Sequence, residues 1–223
     1  MNKIIKLISL AMFFSVTMFG LTSKASAAKL TLYCSVEIDV CEMLEQAYEK
    51  ETGTKVAMTR ASSGETFAKI KAEASNPKGD VWFGGTGDPH LTAAQENLTE
   101  KYKSTHFNDL LPAAQNQAKN ADFKSVGIYV GALGFGYNKD LLAKKGLPAP
   151  KSWMDLTKPI YKGEIQVANP NSSGTAYTTL ATILQIFGED KGWDYMKKLH
   201  ANINTYTKSG SAPIKATGRG ENL

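Results

Sequence analysis

The sequence predicts an α/β fold in which parallel strands alternate with helices and the chain divides into two lobes. Three observations point there. Residues 30–100 run strand, turn and helix three times over. A glycine-broken run, Ser125 to Asn138, then interrupts the alternation. After it a second set of strand–turn–helix units begins, of which Glu164 to Tyr177 is the clearest.

The first 28 residues read as an export signal. Lys3 and Lys6 form a positive start, Leu7 to Leu21 is apolar, and Ala25-Ser26-Ala27 supplies small residues for cleavage, with Ser26-Ala27-Ala28 one residue further on. The apolar run is shorter than the roughly 20 residues a bilayer span needs. No cysteine lies near the cleavage point, which argues against a lipid anchor. Export predicts a product outside the cytoplasm. The net charge of +5 misleads about partners, because the signal carries three lysines and no acid. Without it, 23 basic residues face 21 acidic ones, a net +2, with no basic run. Nucleic acid is therefore not an expected partner. Cys34 and Cys41 are the only cysteines. In an exported chain such a pair predicts a disulfide, since zinc would need two further ligands.

The elements follow in order. Leu30 to Ser35 alternates as a strand, and a helix follows with Val40, Cys41, Leu44, Ala47 and Tyr48 on one face. Thr52-Gly53-Thr54 stops it, and Lys55 to Arg60 is a second strand. Ser62-Ser63-Gly64-Glu65 is a capping box opening a helix with Phe67, Ile70 and Ala74 inward. Asn76 to Gly79 turns the chain into a third strand, Asp80 to Phe83. The loop Gly84 to His90 precedes a helical stretch, Leu91 to Glu100. Glu100 to Asp122 reads as polar and irregular around Pro112. Ser125 to Asn138 is β-rich but broken by four glycines, as suits a crossing between lobes. Lys139 to Gly146 is a short helix, Pro148-Ala149-Pro150 a rigid connector, and Ser152 caps a short helix from Trp153 to Leu156. Glu164 to Ala168 is a strand, and Ser172-Ser173-Gly174-Thr175 opens a helix with Tyr177, Leu180, Ala181, Leu184 and Phe187 at helical spacing. Gly188 to His200 is a further helix with Trp193, Met196 and Leu199 inward. Ile203 to Thr207 is a strand, and a hydroxyl-rich turn, Lys208 to Pro213, leads towards a last helix.

The expected organisation is a leader (1–28), a first lobe (29–130), a hinge (131–138) and a second lobe (139–223). In open α/β sheets ligands bind at the carboxyl ends of the strands. Here those ends carry hydroxyls and glycines: Ser35, Ser62-Ser63-Gly64, Gly84-Gly85-Thr86, Ser172 to Thr175, and Ser209-Gly210-Ser211. Free N–H groups at helix starts beside hydroxyls suit an anionic oxygen. Spread over two lobes, they predict a cleft that clamps a small anion. His90 sits among them, to bond a ligand or to cap its own helix, while His106 and His200 read as surface residues. No nucleophile elbow, phosphate-binding glycine loop or zinc-protease motif occurs, and the acids form no pair for acid–base work. Turnover is not expected, nor is a cofactor or resident metal. An exported α/β phosphatase or transferase would need a nucleophile with a paired base.

The order of motifs resembles a known family. Tyr33-Cys34-Ser35, Ser62-Ser63-Gly64, Asp80 to Gly85, Leu133 to Asn138, Tyr161 to Ile165, Asn171 to Tyr177 and Tyr206 to Gly210 are similar, in sequence and order, to periplasmic solute-binding proteins of bacterial ABC importers. The group is the one that takes ferric iron, hexose phosphates or 2-aminoethylphosphonate. The resemblance covers residues 29 to 220. It implies a monomer of two α/β lobes closing on solute and docking on an inner-membrane ABC permease. It also implies ligand contacts at Ser35, Ser62, Ser63, Thr86, Ser173, Gly174, Thr175 and Ser209. Relatives continue well past Leu223, so a fragment with an incomplete second lobe and exposed apolar faces is the expectation. The tyrosine pair of ferric members would lie in that further stretch. The hydroxyl-rich turns favour a sugar phosphate or phosphonate over Fe³⁺.

Overall fold

In the computed structural model residues 29–223 are described, so the export signal expected at 1–28 lies outside the described residues. Strand β1 (Lys29–Cys34) is the centre of the first sheet, between β2 (Lys55–Arg60) and β3 (Val81–Phe83), all parallel. Helix α1 (Ile38–Thr52) links β1 to β2. It ends where Gly53 adopts a left-handed φ of 70°, its N–H donating to the Glu49 carbonyl. Helix α2 (Ser63–Ala72) links β2 to β3. Leu32, Cys34 and Cys41 form the core here, with Val36, Val56, Met58 and Phe83 packed around them. The Cys34–Cys41 disulfide is formed and ties the end of β1 to α1.

The inward faces differ from expectation. On α1 only Cys41 is buried, while Val40, Ala47 and Tyr48 are exposed. Ala74 falls beyond the end of α2 and is exposed; Thr66 takes the buried position. Helix α3 (Gly87–Gln95) begins four residues before the predicted Leu91, with Pro89 in its first turn, where a missing N–H costs nothing. For the same reason Pro112 starts a helix, α4 (Pro112–Asn120), inside a stretch read as irregular; a 3₁₀ turn (Phe107–Asp109) precedes it. Residues 125–138 form no strand, because none of the described strands lies alongside to accept their hydrogen bonds.

Helix α5 (Lys139–Lys145) is capped by Asn138, whose Oδ1 accepts from the N–H groups of Asp140 and Leu141. Ser152 and Asp155 form a reciprocal capping box on a 3₁₀ turn (Trp153–Thr157), and a second such turn spans Pro159–Tyr161. The second sheet pairs β4 (Ile165–Ala168) in parallel with β5 (Ile203–Thr207). Helices α6 (Gly174–Phe187) and α7 (Glu189–His200) make the crossover, and α8 (Ser211–Gly218) follows β5. The core beneath is Leu156, Ile183, Tyr195 and Leu199, joined by Phe135, Trp153, Met196 and Ile203. Ile183 and Tyr195 are buried, while Tyr177 and Trp193, predicted inward, are exposed. Burial pushes the Tyr195 hydroxyl up to about 12, and it donates to the Trp153 carbonyl at 2.8 Å. Exposed apolar side chains include Tyr102, Leu111, Val130 and Ile214. No described helix is long and apolar enough to cross a membrane.

Candidate functional site

Each of the five described strands is followed by a turn that leads into a helix, and at four of them a small or hydroxyl residue is the N-cap. Ser62 is the N-cap of α2, Thr86 of α3, Ser173 of α6, and Gly210 that of α8. Because the strands are parallel, the helix starts gather at one end of each sheet. The two ends face each other: the Gly64 N–H donates to the Ser172 carbonyl at 3.0 Å, joining α2 to the turn before α6.

The closest convergence is at Gly174. A Cβ there would stand 2.2 Å from Thr86 Oγ1 and 2.8 Å from Ser63 Oγ. Gly85 meets the same hydroxyl, since its Cβ would lie 2.2 Å from Ser63 Oγ. Ser63 Oγ also accepts from the Thr86 N–H at 3.3 Å. Ser63, Thr86 and the first turn of α6 thus touch through positions where only glycine fits. Next to them, Gly210 packs against Thr175 and Ser173, at 2.8 Å and 3.0 Å from where its Cβ would be. Ser173 Oγ accepts from the Ala176 N–H as the cap of α6. Ser209 Oγ lies 2.9 Å from Ser211 Oγ.

Two hydroxyls stand out. Both are buried: Ser62 Oγ faces only the Glu65 N–H of its capping box, too loosely for a regular hydrogen bond, and Thr86 Oγ1 has no hydrogen-bond partner. The Glu65 carboxylate does accept from the Ser62 N–H, at 3.2 Å. A buried hydroxyl without a partner costs about 1–3 kcal/mol, so the Thr86 hydroxyl in particular calls for an explanation. Each helix start also brings partial positive charge.

Two expected site residues have other employment. Ser35 is buried, where its Oγ accepts from Trp82 Nε1 at 3.0 Å and lies 3.0 Å from Thr66 Oγ1. His90 is in the first turn of α3, not in a loop; its Nε2 is 2.8 Å from the Gly84 carbonyl and its ring stacks on Trp82 at 3.7 Å. Burial holds the imidazole below its usual pKa, favouring the neutral form. Both shape the turn after β3 from behind.

Sequence reasoning passed over Tyr129 and Arg60. The Tyr129 hydroxyl accepts from the Gly85 N–H and donates to the Gly85 carbonyl, both at 2.7 Å, clamping that turn. Nothing in sequence places residue 129 beside residue 85. Arg60 Nε donates to the Val36 carbonyl at 2.9 Å, and Nη2 reaches Ser209 Oγ at 3.3 Å. A basic residue two positions before the Ser62 cap was the available signal. Beside it Lys215 pairs with Glu37 at 2.9 Å, joining α8 to the start of α1.

Comparison with known proteins agrees with this geometry. An uncharacterized protein of Haemophilus influenzae is 44 % identical over 218 residues, which are 96 % of this chain and 63 % of that protein. The structure of the periplasmic binding protein AfuA from Actinobacillus pleuropneumoniae, with exogenous fructose-6-phosphate bound, superposes with a TM-score of 0.85 at 46 % identity. That match covers 88 % of this chain and 62 % of AfuA. Iron-bound HitA from Pseudomonas aeruginosa shares the fold at a TM-score of 0.64 and 21 % identity, covering 87 % of this chain and 60 % of that one. The chain thus spans less than two thirds of the length of each. Residues 80–221 match the profile of one family. That match spans more than half of the sequence, and the chain belongs to the bacterial extracellular solute-binding proteins.

Proposed function

We propose that this chain is the solute-capturing component of an ABC importer, taking a small phosphorylated anion between its two halves. The observation that carries the reading is the convergence of helix starts from both halves on the unpartnered Thr86 hydroxyl, pressed against Gly174. Ser62, Ser63 and Thr86 from the first half, and Ser173, Gly174, Thr175 and Ser209 from the second, would donate to one phosphate. Ser35 and His90 would support them through Trp82.

Such a site closes for a simple thermodynamic reason. Open, each half offers its donors to water; closed, both sets meet one anion. The closed state binds more tightly, so the solute shifts the population towards it. The lobes are taken as 29–130 and 139–223, with 131–138 as the hinge. Gly131, Gly134 and Gly136 have open space where a Cβ would be, so bending there meets no packed neighbour.

Phosphate fits these donors better than ferric iron. Hydroxyls and backbone N–H groups recognise an anion, whereas Fe³⁺ requires anionic ligands. The fructose-6-phosphate of the AfuA structure supports a sugar phosphate as the solute. The iron-binding relative, at 21 % identity, supports the fold alone. The reading entails a periplasmic monomer that captures without turnover and delivers to an inner-membrane permease.

Thermal melts with fructose 6-phosphate, glucose 6-phosphate, 2-aminoethylphosphonate and ferric citrate test it. A phosphorylated solute at 100 times its Kd should stabilise the fold by about 2.7 kcal/mol. A shift with ferric citrate alone, or with none of the four, overturns the reading.

A further inference from the structure

We propose that Arg60 is the charge-selecting residue of this cleft, distinguishing a doubly charged head group from a singly charged one; the inference rests on the anion-binding reading above. The hydroxyls and N–H groups at the helix starts are neutral donors. They can bond any tetrahedral oxyanion, and by themselves they discriminate little between a phosphate and a sulfate. A full positive charge at the same place does discriminate, because its attraction scales with the charge it meets.

Arg60 is the residue placed to supply it. It ends β2 two positions before the Ser62 cap. Its Nε is anchored on the Val36 carbonyl, which sets the direction of the guanidinium plane. Nη2 then crosses to Ser209 Oγ in the other half. Ser209 adjoins Gly210, which packs directly on Thr175 and Ser173, so the fork borders the hydroxyl cluster. A guanidinium has five N–H donors; among the described residues Arg60 uses two and forms no ion pair.

Lys215 and Glu37, the charges that bridge α8 and the start of α1, are committed to each other at 2.9 Å. Hydrogen bonding to Lys215 is the first cause that holds the Glu37 carboxyl below its usual range, with Ser211 adding to it and Arg60 contributing least. Arg60 therefore retains donors and charge for a solute. The weak 3.3 Å contact to Ser209 is the kind of bond an oxyanion displaces easily. A planar fork can also hold two oxygens of one head group through parallel N–H bonds, a fixed geometry that a lysine ammonium lacks.

Calorimetric titration at pH 8 with glucose 6-phosphate and glucose 6-sulfate tests this. The esters share a sugar and a tetrahedral head group, but the phosphate approaches two negative charges at that pH and the sulfate carries one. The wild type should prefer the phosphate ester. Arg60→Gln should weaken its binding about ten- to hundredfold and narrow the phosphate-to-sulfate ratio. Arg60→Lys should keep part of that ratio with weaker binding overall. Equal weakening for both esters, or wild-type affinity in Arg60→Gln, refutes the role while leaving the anion site standing. Should Arg60→Gln fail to melt cooperatively, Arg60→Lys decides: a narrowed phosphate-to-sulfate ratio supports the role, and an unchanged ratio refutes it. A wild type that binds neither ester overturns the anion-binding reading, and Arg60 with it.

Discussion

Gly174→Ala separates the closed cleft from the fold that carries it. The added methyl would sit 2.2 Å from Thr86 Oγ1 and 2.8 Å from Ser63 Oγ, both across the cleft from α6. Neither distance is tolerable for a carbon. Thr86 could rotate, but its Oγ1 is already buried and its branched Cβ would bring a methyl to the same place. Relief must therefore come from parting the halves, which breaks the Gly64–Ser172 hydrogen bond. Overpacking of this kind costs about 1–3 kcal/mol in the closed state, or roughly ten- to hundredfold in solute affinity. The open state escapes the clash. There the alanine sits at the first position of a helix, where replacing glycine is worth up to about 1 kcal/mol. Glucose 6-phosphate affinity should thus fall while the ligand-free melting temperature holds or rises by up to about 4 °C. Calorimetry and a melt of the same sample read both. Unchanged affinity, or a melting temperature lowered by several degrees, would show that Gly174 serves the fold and not the closure.

Three further outcomes follow from the same contacts. The unreduced, denatured protein should show no titratable thiol, and replacing both cysteines by serine should cost about 2 kcal/mol from the short loop that Cys34–Cys41 closes; two free thiols, or an unchanged melt, would contradict it. Ser35→Ala removes the acceptor of Trp82 Nε1 and should destabilise by about 1–3 kcal/mol. The same change should alter glucose 6-phosphate affinity less than Ser173→Ala with Thr175→Ala does, and the reverse order would put Ser35 in direct contact with solute. Glu37 has its carboxyl held below 4.5, chiefly by Lys215. A depressed acid stabilises above its unfolded value and loses that contribution as pH falls through the folded one. Melting temperatures from pH 6 to pH 3 should therefore decline less steeply in Lys215→Ala than in the wild type; the exposure of both side chains keeps the effect small. Parallel curves would remove the ion pair from the account.

Local chemistry was legible where a short stretch decides the outcome by itself. Ser62, Ser173 and Asn138 precede the helices they cap. Gly53 ends α1, and Ile203 to Thr207 is a strand over the predicted residues. Helix faces were less legible. Tyr177 and Trp193 satisfy the helical spacing, yet Ile183 and Tyr195 hold the core, since a helix with apolar residues on several sides is turned by what packs on it. Pro89 and Pro112 lie within first turns, where a missing N–H costs nothing, so helices extend through stretches whose composition reads as loop. The run from 125 to 138 has the composition of a strand and forms none, because a strand exists only with a partner.

The parallel α/β alternation, the disulfide, and the hydroxyls and glycines at the strand ends can all be read along the chain. Each of these is set by residues adjacent in the chain, or by the known reach of two cysteines in an exported protein. Which strand ends meet is set by how the sheets pack. Tertiary packing brought Thr86 and Ser63 against Gly174, turned Ser35 and His90 towards Trp82, and set Arg60 beside Ser209. Residues 60 and 209 lie far apart along the chain, and their meeting depends on how two sheets face each other. That is a property of packing between surfaces, which no local pattern encodes.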